Sequence, residues 1–196
     1  MKLENFKLSD CPVPILQDEW EFKMFLEMYI DFAPKNVVEI GSFYGGTLWH
    51  WIKYNELLKR IMSIDLSIPP SDNRYNEMNS SKKLWPCWIK NEISFNFFEG
   101  SSHDPSMINA VKSRINKEYG LCDMLFIDGD HLYNSVKKDW NNYRDLVRPG
   151  GWIVFHDSVG IPDVKQLVTE IKAENKYKTI EISSRPDGWG ITIIII

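Results

Sequence analysis

Aspartates and histidines recur in two short segments of the chain, FIDGDHLY and FHDS. Asp128 and Asp157 each end an apolar run of strand length, and His131 and His156 lie close to them. Because the carboxyl ends of neighbouring parallel strands meet at one edge of a sheet, both carboxylates can contact one ligand. Such a set can bind a hard or borderline divalent cation such as Mg²⁺, and a histidine that titrates near neutrality can transfer a proton. Taken singly, each residue is equally typical of a helix cap or a loop.

A glycine-rich segment, NVVEIGSFYGGTL, covers residues 36–48. It predicts a buried strand, a tight loop and the start of a helix. Its glycines let the backbone turn sharply and let a ligand lie against it, while the first helical amides stay free to donate hydrogen bonds. The spacing is E-x-G-x-x-x-G-G and differs from the G-x-G-x-x-G of dinucleotide-binding proteins.

Asp65 ends the next predicted strand, RIMSID. In a nucleotide-binding α/β unit, an acidic side chain at this strand end accepts hydrogen bonds from the ribose hydroxyls. We therefore predict that Asp65 is a ribose ligand, and the alternative is an aspartate that caps a turn.

Strands alternate with helices along almost the whole sequence, which predicts an α/β fold. The expected architecture is a doubly wound, Rossmann-like, seven-stranded and mostly parallel sheet with helices on both faces. The predicted strands cover residues 37–40, 60–65, 93–99, 122–128, 152–155, 178–182 and 191–196.

Helix signals separate these strands. Asp18 can cap the first helix, with Glu21 at the spacing of a capping box, and the second helix should cover residues 46–58. Asp104 followed by Pro105 marks another helix start. The face that the first helix should bury consists of Trp20, Met24, Phe25, Met28, Tyr29 and Phe32.

We expect residues 1–196 to form a single domain. Residues 1–17 carry two prolines and little periodicity, so they should form an irregular arm over the domain surface. Residues 67–92 are either a helix-containing lid that contacts the substrate or an edge of the domain packed by tryptophans.

Composition excludes several classes of protein. A net charge of -4 and a pI near 5.6 give no electrostatic case for binding nucleic acid or an anionic membrane. Three scattered cysteines indicate no disulfide framework and favour a cytoplasmic setting. The start has no signal-peptide core, and the terminal ITIIII is of strand length, so no membrane segment is predicted.

Together, the segments EIGSFYGGT, IDLS, EGSSHDP, FIDGDHLYNSVKKDW and LVRPGGWIVFHD resemble the class I S-adenosylmethionine-dependent methyltransferases over residues 18–196. Within that class, the I-D-G-x-H-x-Y motif resembles the small-molecule O-methyltransferases of the methyltransferase domain 24 type. This branch includes metal-dependent enzymes that act on the sugars of natural products.

The resemblance implies a role for each matching position. Asp128 would lie beside the cofactor and be the first metal ligand, Asp157 the second, with His156 next to it, and His131 would be the general base. Serine at 101 departs from the aspartate common there, and His156 and Ser158 stand where related enzymes often have a further oxygen ligand. The remaining implied contacts are Glu39, Gly41, Ser42, Tyr44 and Gly45 with the methionine moiety, Asp65 with the ribose, and Ser101 and Ser102 with the adenine.

The predicted reaction is methyl transfer to a hydroxyl of a small molecule or sugar, with His131 as base and a divalent metal as an optional electrophile. One alternative is an NAD(P)-dependent short-chain oxidoreductase, because Tyr133 and Lys137 satisfy Y-x-x-x-K. Another is a catalytically silent methyltransferase-like binding module. Methylation of nitrogen and the oligomeric state, a homo-oligomer included, stay open.

Overall fold

A seven-stranded sheet with the strand order β3-β2-β1-β4-β5-β7-β6 organises the chain. The computed structural model describes residues 3–66, 68–90, 92–115 and 120–196. Strand β7 runs antiparallel to both of its neighbours, and the pairs among β1 to β5 are all parallel. The predicted Rossmann-like, mostly parallel sheet is confirmed.

The strands lie close to their predicted places. Strand β5 is longer than predicted because the chain already pairs with β4 at Val147, before a register shift. The strands are β1 Asn36–Ile40, β2 Arg60–Asp65, β3 Ser94–Glu99, β4 Cys122–Ile127, β5 Val147–His156, β6 Lys178–Ile182 and β7 Ile191–Ile195. The α-helices are α1 Glu19–Phe32, α2 Gly46–Lys53, α3 Tyr75–Lys82, α4 Trp85–Trp88, α5 Pro105–Arg114, α6 Tyr133–Tyr143 and α7 Pro162–Ala173.

Helices cover both faces of the sheet. Helices α5, α6 and α7 pack against one face, where Val38 and Ile40 of β1 are buried. Helices α1, α2 and α4 pack against the other, where Val37 is buried. Since side chains alternate along a strand, Glu39 points to the same side as Val37.

Helix α1 buries only part of the predicted face. Its buried stripe contains Phe22, Phe25, Leu26 and Tyr29, of which Phe25 and Tyr29 were predicted, whereas Trp20 and Met24 are exposed. The stripe follows the i, i+3, i+4, i+7 spacing of a helix packed on one side. Helix α2 also ends five residues earlier than predicted, at Lys53.

A buried carboxylate joins α1 to the last hairpin. The backbone amide of Glu21 donates to the capping Asp18 as expected, but the Glu21 side chain does not complete a capping box. It accepts hydrogen bonds from the backbone amides of Ser184 at 2.9 Å and Gly190 at 2.8 Å. The loop between β6 and β7 is thereby held against the start of α1.

The two segments outside the regular α/β pattern both reach the cavity described below. Residues 3–17 contain a short 3-10 helix, Leu8–Asp10, and their last four residues line that cavity. Residues 68–90 form α3 and α4, while Ser67 and Asn91 of the predicted lid lie outside the described residues. Among the helices of the described part of the chain, none is long and apolar enough to cross a membrane.

Candidate active site

A cavity of about 580 Å³ opens at the carboxyl ends of β1, β2, β4 and β5. Its volume lies within the range of roughly 300–1,000 Å³ typical of small-molecule sites. A second cavity, of about 500 Å³, lies against α7 and the β6–β7 loop, and its described lining includes none of the predicted site residues. The predicted residues that line the first cavity are Gly41, Ser42, Tyr44, Asp65, Ser101, Ser102, Asp128, His131, His156 and Asp157.

The two carboxylates and two imidazoles converge in this cavity. Nε2 of His131 lies 2.7 Å from Oδ2 of Asp157 and 3.7 Å from Oδ1 of Asp128. Nδ1 of His156 lies 3.2 Å from Oδ1 of Asp128 and 3.1 Å from Oδ1 of Asp157. Asp157 has a φ of 58°, a left-handed conformation that non-glycine residues adopt rarely and that is enriched at functional sites. The structure thus brings together the four residues that the sequence singled out.

Mutual charge interactions shift the pKa values of all four groups. The carboxylates of Asp128 and Asp157 raise the pKa of His131 to about 9. Burial alone would lower the pKa of His156, but the same carboxylates outweigh it and raise this pKa to about 10. In return, and against the effect of burial, the histidines hold the pKa values of both carboxyl groups below their usual range. The two carboxylates thus place the pKa of His131 above the near-neutral range predicted from the sequence.

Three of the four groups offer atoms close enough to share one cation. Nε2 of His131 and Nδ1 of His156 are shielded from solvent, and neither makes a hydrogen bond of suitable geometry within the described residues. Ligand atoms of Asp128, His131 and Asp157 lie within 4.8 Å of one another. Two ligands of one ion, each roughly 2.0–2.4 Å from it, are at most about 4.8 Å apart. A mixed oxygen and nitrogen set suits a borderline transition-metal cation better than Mg²⁺, which prefers oxygen ligands.

The loop after β1 forms another wall of the cavity. Gly41 has a φ of 88°, and a Cβ there would lie only 2.0 Å from the carbonyl oxygen of Asp128. Glycine is therefore required where the ends of β1 and β4 approach each other. The backbone amide of Phe43 donates a hydrogen bond to Oδ2 of Asp65. Burial raises the pKa of Asp65, although this amide opposes the shift.

Glu39 and Gly45 do not line the cavity, in contrast to the prediction. Glu39 is fully buried under α2, where its carboxylate accepts hydrogen bonds from Oγ1 of Thr47 at 2.8 Å and from Nε1 of Trp51. Burial raises its pKa to about 7. Gly45 faces the indole of Trp85, whose Nε1 would lie 2.2 Å from an added Cβ. Both residues support the loop from behind, so a direct contact with a ligand in the cavity is not expected.

Ser101 and Ser102 lie in the cavity wall, and each hydroxyl already makes one hydrogen bond. Oγ of Ser102 donates to Oδ1 of Asp139 at 2.6 Å, and Oγ of Ser101 accepts from the backbone amide of His103 at 3.2 Å. Nε2 of His103 lies 3.2 Å from the same oxygen of Asp139. Asp139, only 1% exposed, therefore fixes this loop from α6.

Sequence reasoning missed several polar residues of the site, of which three matter most here. Gln17 and Arg74 line the cavity, and Asp139 anchors its wall. Asp139 could have been found from the sequence, because it is a charged residue on the inward-facing stripe of α6, between Val136 and Tyr143. Gln17 and Arg74 lie outside regular apolar patterns, so the sequence pattern did not indicate them.

Tyr133 and Lys137, the pair behind the oxidoreductase alternative, lie away from the cavity. Nζ of Lys137 donates to the hydroxyl of Tyr133 at 2.5 Å and lies 3.3 Å from Glu170 on α7. The pair belongs to a surface network between α6 and α7, so the match to Y-x-x-x-K is a coincidence.

Known proteins share both the sequence pattern and the fold. The chain is 31% identical over 170 residues to an uncharacterized protein of Acanthamoeba polyphaga mimivirus, covering 78% of this chain and 69% of that one. It is 25% identical over 146 residues to the rhamnosyl O-methyltransferase of Mycobacterium tuberculosis, covering 73% of this chain and about half, 52%, of that protein's length.

Solved structures agree on the fold. A putative caffeoyl-CoA O-methyltransferase from Staphylococcus aureus superimposes with a TM-score of 0.67 at 17% identity, over 98% of this chain and 93% of that one. An O-methyltransferase from Bacillus cereus in complex with SAH superimposes with a TM-score of 0.64 at 15% identity, over 96% of this chain and 86% of that one. The family model described as rhamnosyl O-methyltransferase/CmcI matches residues 5–184, which include every residue of the cavity. The chain therefore belongs to the rhamnosyl O-methyltransferase/CmcI family.

Proposed function

We propose that this chain transfers a methyl group from S-adenosylmethionine to a hydroxyl of a small molecule, with a sugar as the favoured acceptor class. The observation that carries the proposal is the convergence of Asp128, His131, His156 and Asp157 in one cavity that also contains Asp65 and the glycine loop. One end of the cavity thus offers hydrogen-bond acceptors for a nucleoside, and the other offers acid–base groups.

The cofactor would lie along the strand ends from β2 to β4. Asp65 would accept hydrogen bonds from the ribose hydroxyls, and the loop Gly41–Tyr44 would enclose the methionine moiety. Ser102 would contact the adenine through its backbone, since its hydroxyl donates to Asp139, whereas the Ser101 hydroxyl, which only accepts from His103, could still donate a hydrogen bond.

The acceptor hydroxyl would lie beside His131, which takes its proton. His131 is half-exposed and stands on the loop after β4, whereas His156 is buried at 5% exposure. This difference supports His131 as the base, with Asp128 and Asp157 as the carboxylate ligands of a divalent cation and His156 beside them. Such a cation would supply the positive charge that lowers the pKa values of the imidazole and of the acceptor hydroxyl. The residues otherwise contribute by aligning the oxygen with the methyl group and by excluding water.

A sugar acceptor is supported by the relatives and by the cavity. Rhamnosyl O-methyltransferases are among the relatives, and the cavity wall offers several polar groups besides the proposed cofactor ligands. Cys11, Cys87 and Cys122 are free thiols, which supports a reducing, cytoplasmic setting for the reaction.

The proposal is tested with the purified protein, S-adenosylmethionine and a panel of methyl 6-deoxyhexosides, rhamnoside included, together with catechols and primary amines. Product mass identifies the methylated acceptor, and calorimetry measures S-adenosylhomocysteine binding. Asp65→Asn should weaken that binding by at least about tenfold, whereas Asp145→Asn, at a well-exposed aspartate, should not. Chelator should abolish turnover, and Mn²⁺ or Mg²⁺ should restore it. Methylation of amines alone, or no binding of S-adenosylhomocysteine, would refute the proposal.

A further inference from the structure

The N-terminal arm reaches the catalytic end of the cavity through Gln17. Nε2 of Gln17 donates a hydrogen bond to Oδ2 of Asp128 at 3.2 Å, whereas both histidines approach Oδ1 of that carboxylate. The arm is held closely, since a Cβ at Gly46 would lie 2.6 Å from Cβ of Ile15. Gln17 and the histidines therefore flank Asp128 at opposite oxygens.

The amide oxygen of Gln17 is a buried acceptor without a donor. Oε1 is shielded from solvent and makes no hydrogen bond to any group in the described residues. Leaving a buried carbonyl oxygen unpaired is unfavourable, and folded proteins contain few such groups. An unpaired amide oxygen in the wall of a binding cavity indicates a ligand that donates a hydrogen bond.

We propose that Gln17 positions the acceptor by accepting a hydrogen bond from a second hydroxyl, on the carbon next to the one that carries the methylated oxygen. This inference rests on the proposed function. The reacting hydroxyl lies at His131 on one side of Asp128, so a group on the neighbouring carbon comes within reach of Gln17 on the other side. The acceptor class is therefore a vicinal diol, as in a pyranose ring, in preference to an isolated alcohol.

The ammonium group of a bound cofactor would be the other candidate donor at this end of the cavity, and it would fit Gln17 less well. A buried ammonium ion pairs preferentially with a charged acceptor, and the carboxylate of Asp128 lies within the same reach. A neutral hydroxyl needs no counter-charge, so a neutral amide oxygen is sufficient for it. The Gln17 amide group also keeps its donor on Asp128, which leaves only the oxygen for the ligand.

The test compares Gln17→Met with the wild-type protein on matched acceptors. Methionine keeps the length of the side chain and removes both amide groups. The matched control is Gln166→Met on α7, where the amide donates to Glu170 in an exposed position. The probes are methyl α-L-rhamnopyranoside and its monodeoxy derivatives, or the corresponding pair for whichever hydroxyl acceptor is turned over. The measured quantities are kcat/KM for each acceptor and the Kd of S-adenosylhomocysteine.

The wild type and Gln166→Met should prefer the diol over the derivative that lacks the neighbouring hydroxyl by about tenfold or more. Gln17→Met should bring this ratio close to unity while the Kd of S-adenosylhomocysteine stays within about twofold. A purely structural role would lower both rates together and leave the ratio unchanged. An unchanged ratio in Gln17→Met, a wild type without preference, or a Kd raised more than about tenfold in the variant would overturn the assignment of Gln17. Failure of the wild type to methylate any hydroxyl would instead refute the proposed function itself, and this inference with it.

Discussion

Replacing Glu39 by glutamine should change how stability depends on pH without weakening cofactor binding. Glu39 is fully buried between β1 and α2, and burial raises its pKa from 4.5 to about 7. Glutamine has nearly the same shape, and its amide oxygen can still accept from Trp51 while the hydroxyl of Thr47 rotates to accept from the new NH₂ group. The variant should therefore fold.

The sign of the effect follows from proton binding. Between pH 4.5 and pH 7 the folded state holds the Glu39 proton more tightly than the unfolded state does, so the wild-type free energy of unfolding falls as pH rises through this window. A shift of that size corresponds to about 3 kcal/mol at 1.36 kcal/mol per pKa unit. The glutamine variant lacks this dependence. Its stability relative to the wild type should therefore rise by roughly 2 to 3 kcal/mol between pH 5 and pH 8, since part of the effect is already present at pH 5.

Urea unfolding of both proteins at several pH values from 5 to 8 measures the difference, and calorimetry with S-adenosylhomocysteine provides the second readout. Unchanged affinity together with the pH-dependent gain would show that Glu39 supports the loop and does not bind the ligand. Parallel stability curves would refute the role of the buried carboxyl group. A Kd increased by more than about tenfold would instead restore Glu39 to the set of direct cofactor ligands.

Three further substitutions test other parts of the structure. His131→Ala should lower kcat by roughly 10²–10⁴-fold and remove the rise of activity with pH that a histidine base requires; a pH–rate profile with the wild-type shape would contradict the base assignment. Gly41→Ala should lower the free energy of unfolding by at least about 2 kcal/mol, measured in urea, because its Cβ meets the carbonyl of Asp128 and its φ is positive; unchanged stability would mean that the loop relaxes freely. Glu21→Gln should lower the free energy of unfolding by about 2 kcal/mol, since the glutamine NH₂ group would face amide donors such as that of Gly190. A thermal melt equal to that of the wild type would disprove this contact.

Most of the fold could be predicted because its signals are local. Apolar runs of strand length, separated by helix starts and glycine turns, place all seven strands within a few residues. The errors arose where tertiary contacts determine at which residue a helix ends and which of its faces is buried. Helix α2 ends at Lys53 because Asn55 turns the chain, with its side chain bonded to the carbonyl of Pro34 at 2.7 Å. The exposed Trp20 and Met24 show that aromatic and methionine residues on a helix need not mark its buried face.

The site could be predicted where strand ends bring residues together. Asp65, Asp128 and Asp157 follow strands whose order is set by the sheet, so their convergence needs no detailed geometry. The roles of Glu39 and Gln17 could not be predicted from the strand order alone. Strand alternation already assigns Glu39 to the side of Val37, and neglecting it gave the wrong expectation. Gln17 depends on the path of an irregular arm, which periodicity does not describe.

The contact between Glu21 and the β6–β7 loop has a consequence for how the protein is made. Glu21 is synthesised long before its partners Ser184 and Gly190, and β7 inserts between β5 and β6. The amide of Ser158, next to Asp157, bonds to the carbonyl of Gly190. Contacts of such long sequence separation form late, because the intervening chain must first be ordered. A nascent chain still lacking β7 on the ribosome should therefore hold a hydrated Glu21, an incomplete sheet and an unfixed Asp157, so its ability to bind ligand arises only as the last hairpin leaves the exit tunnel.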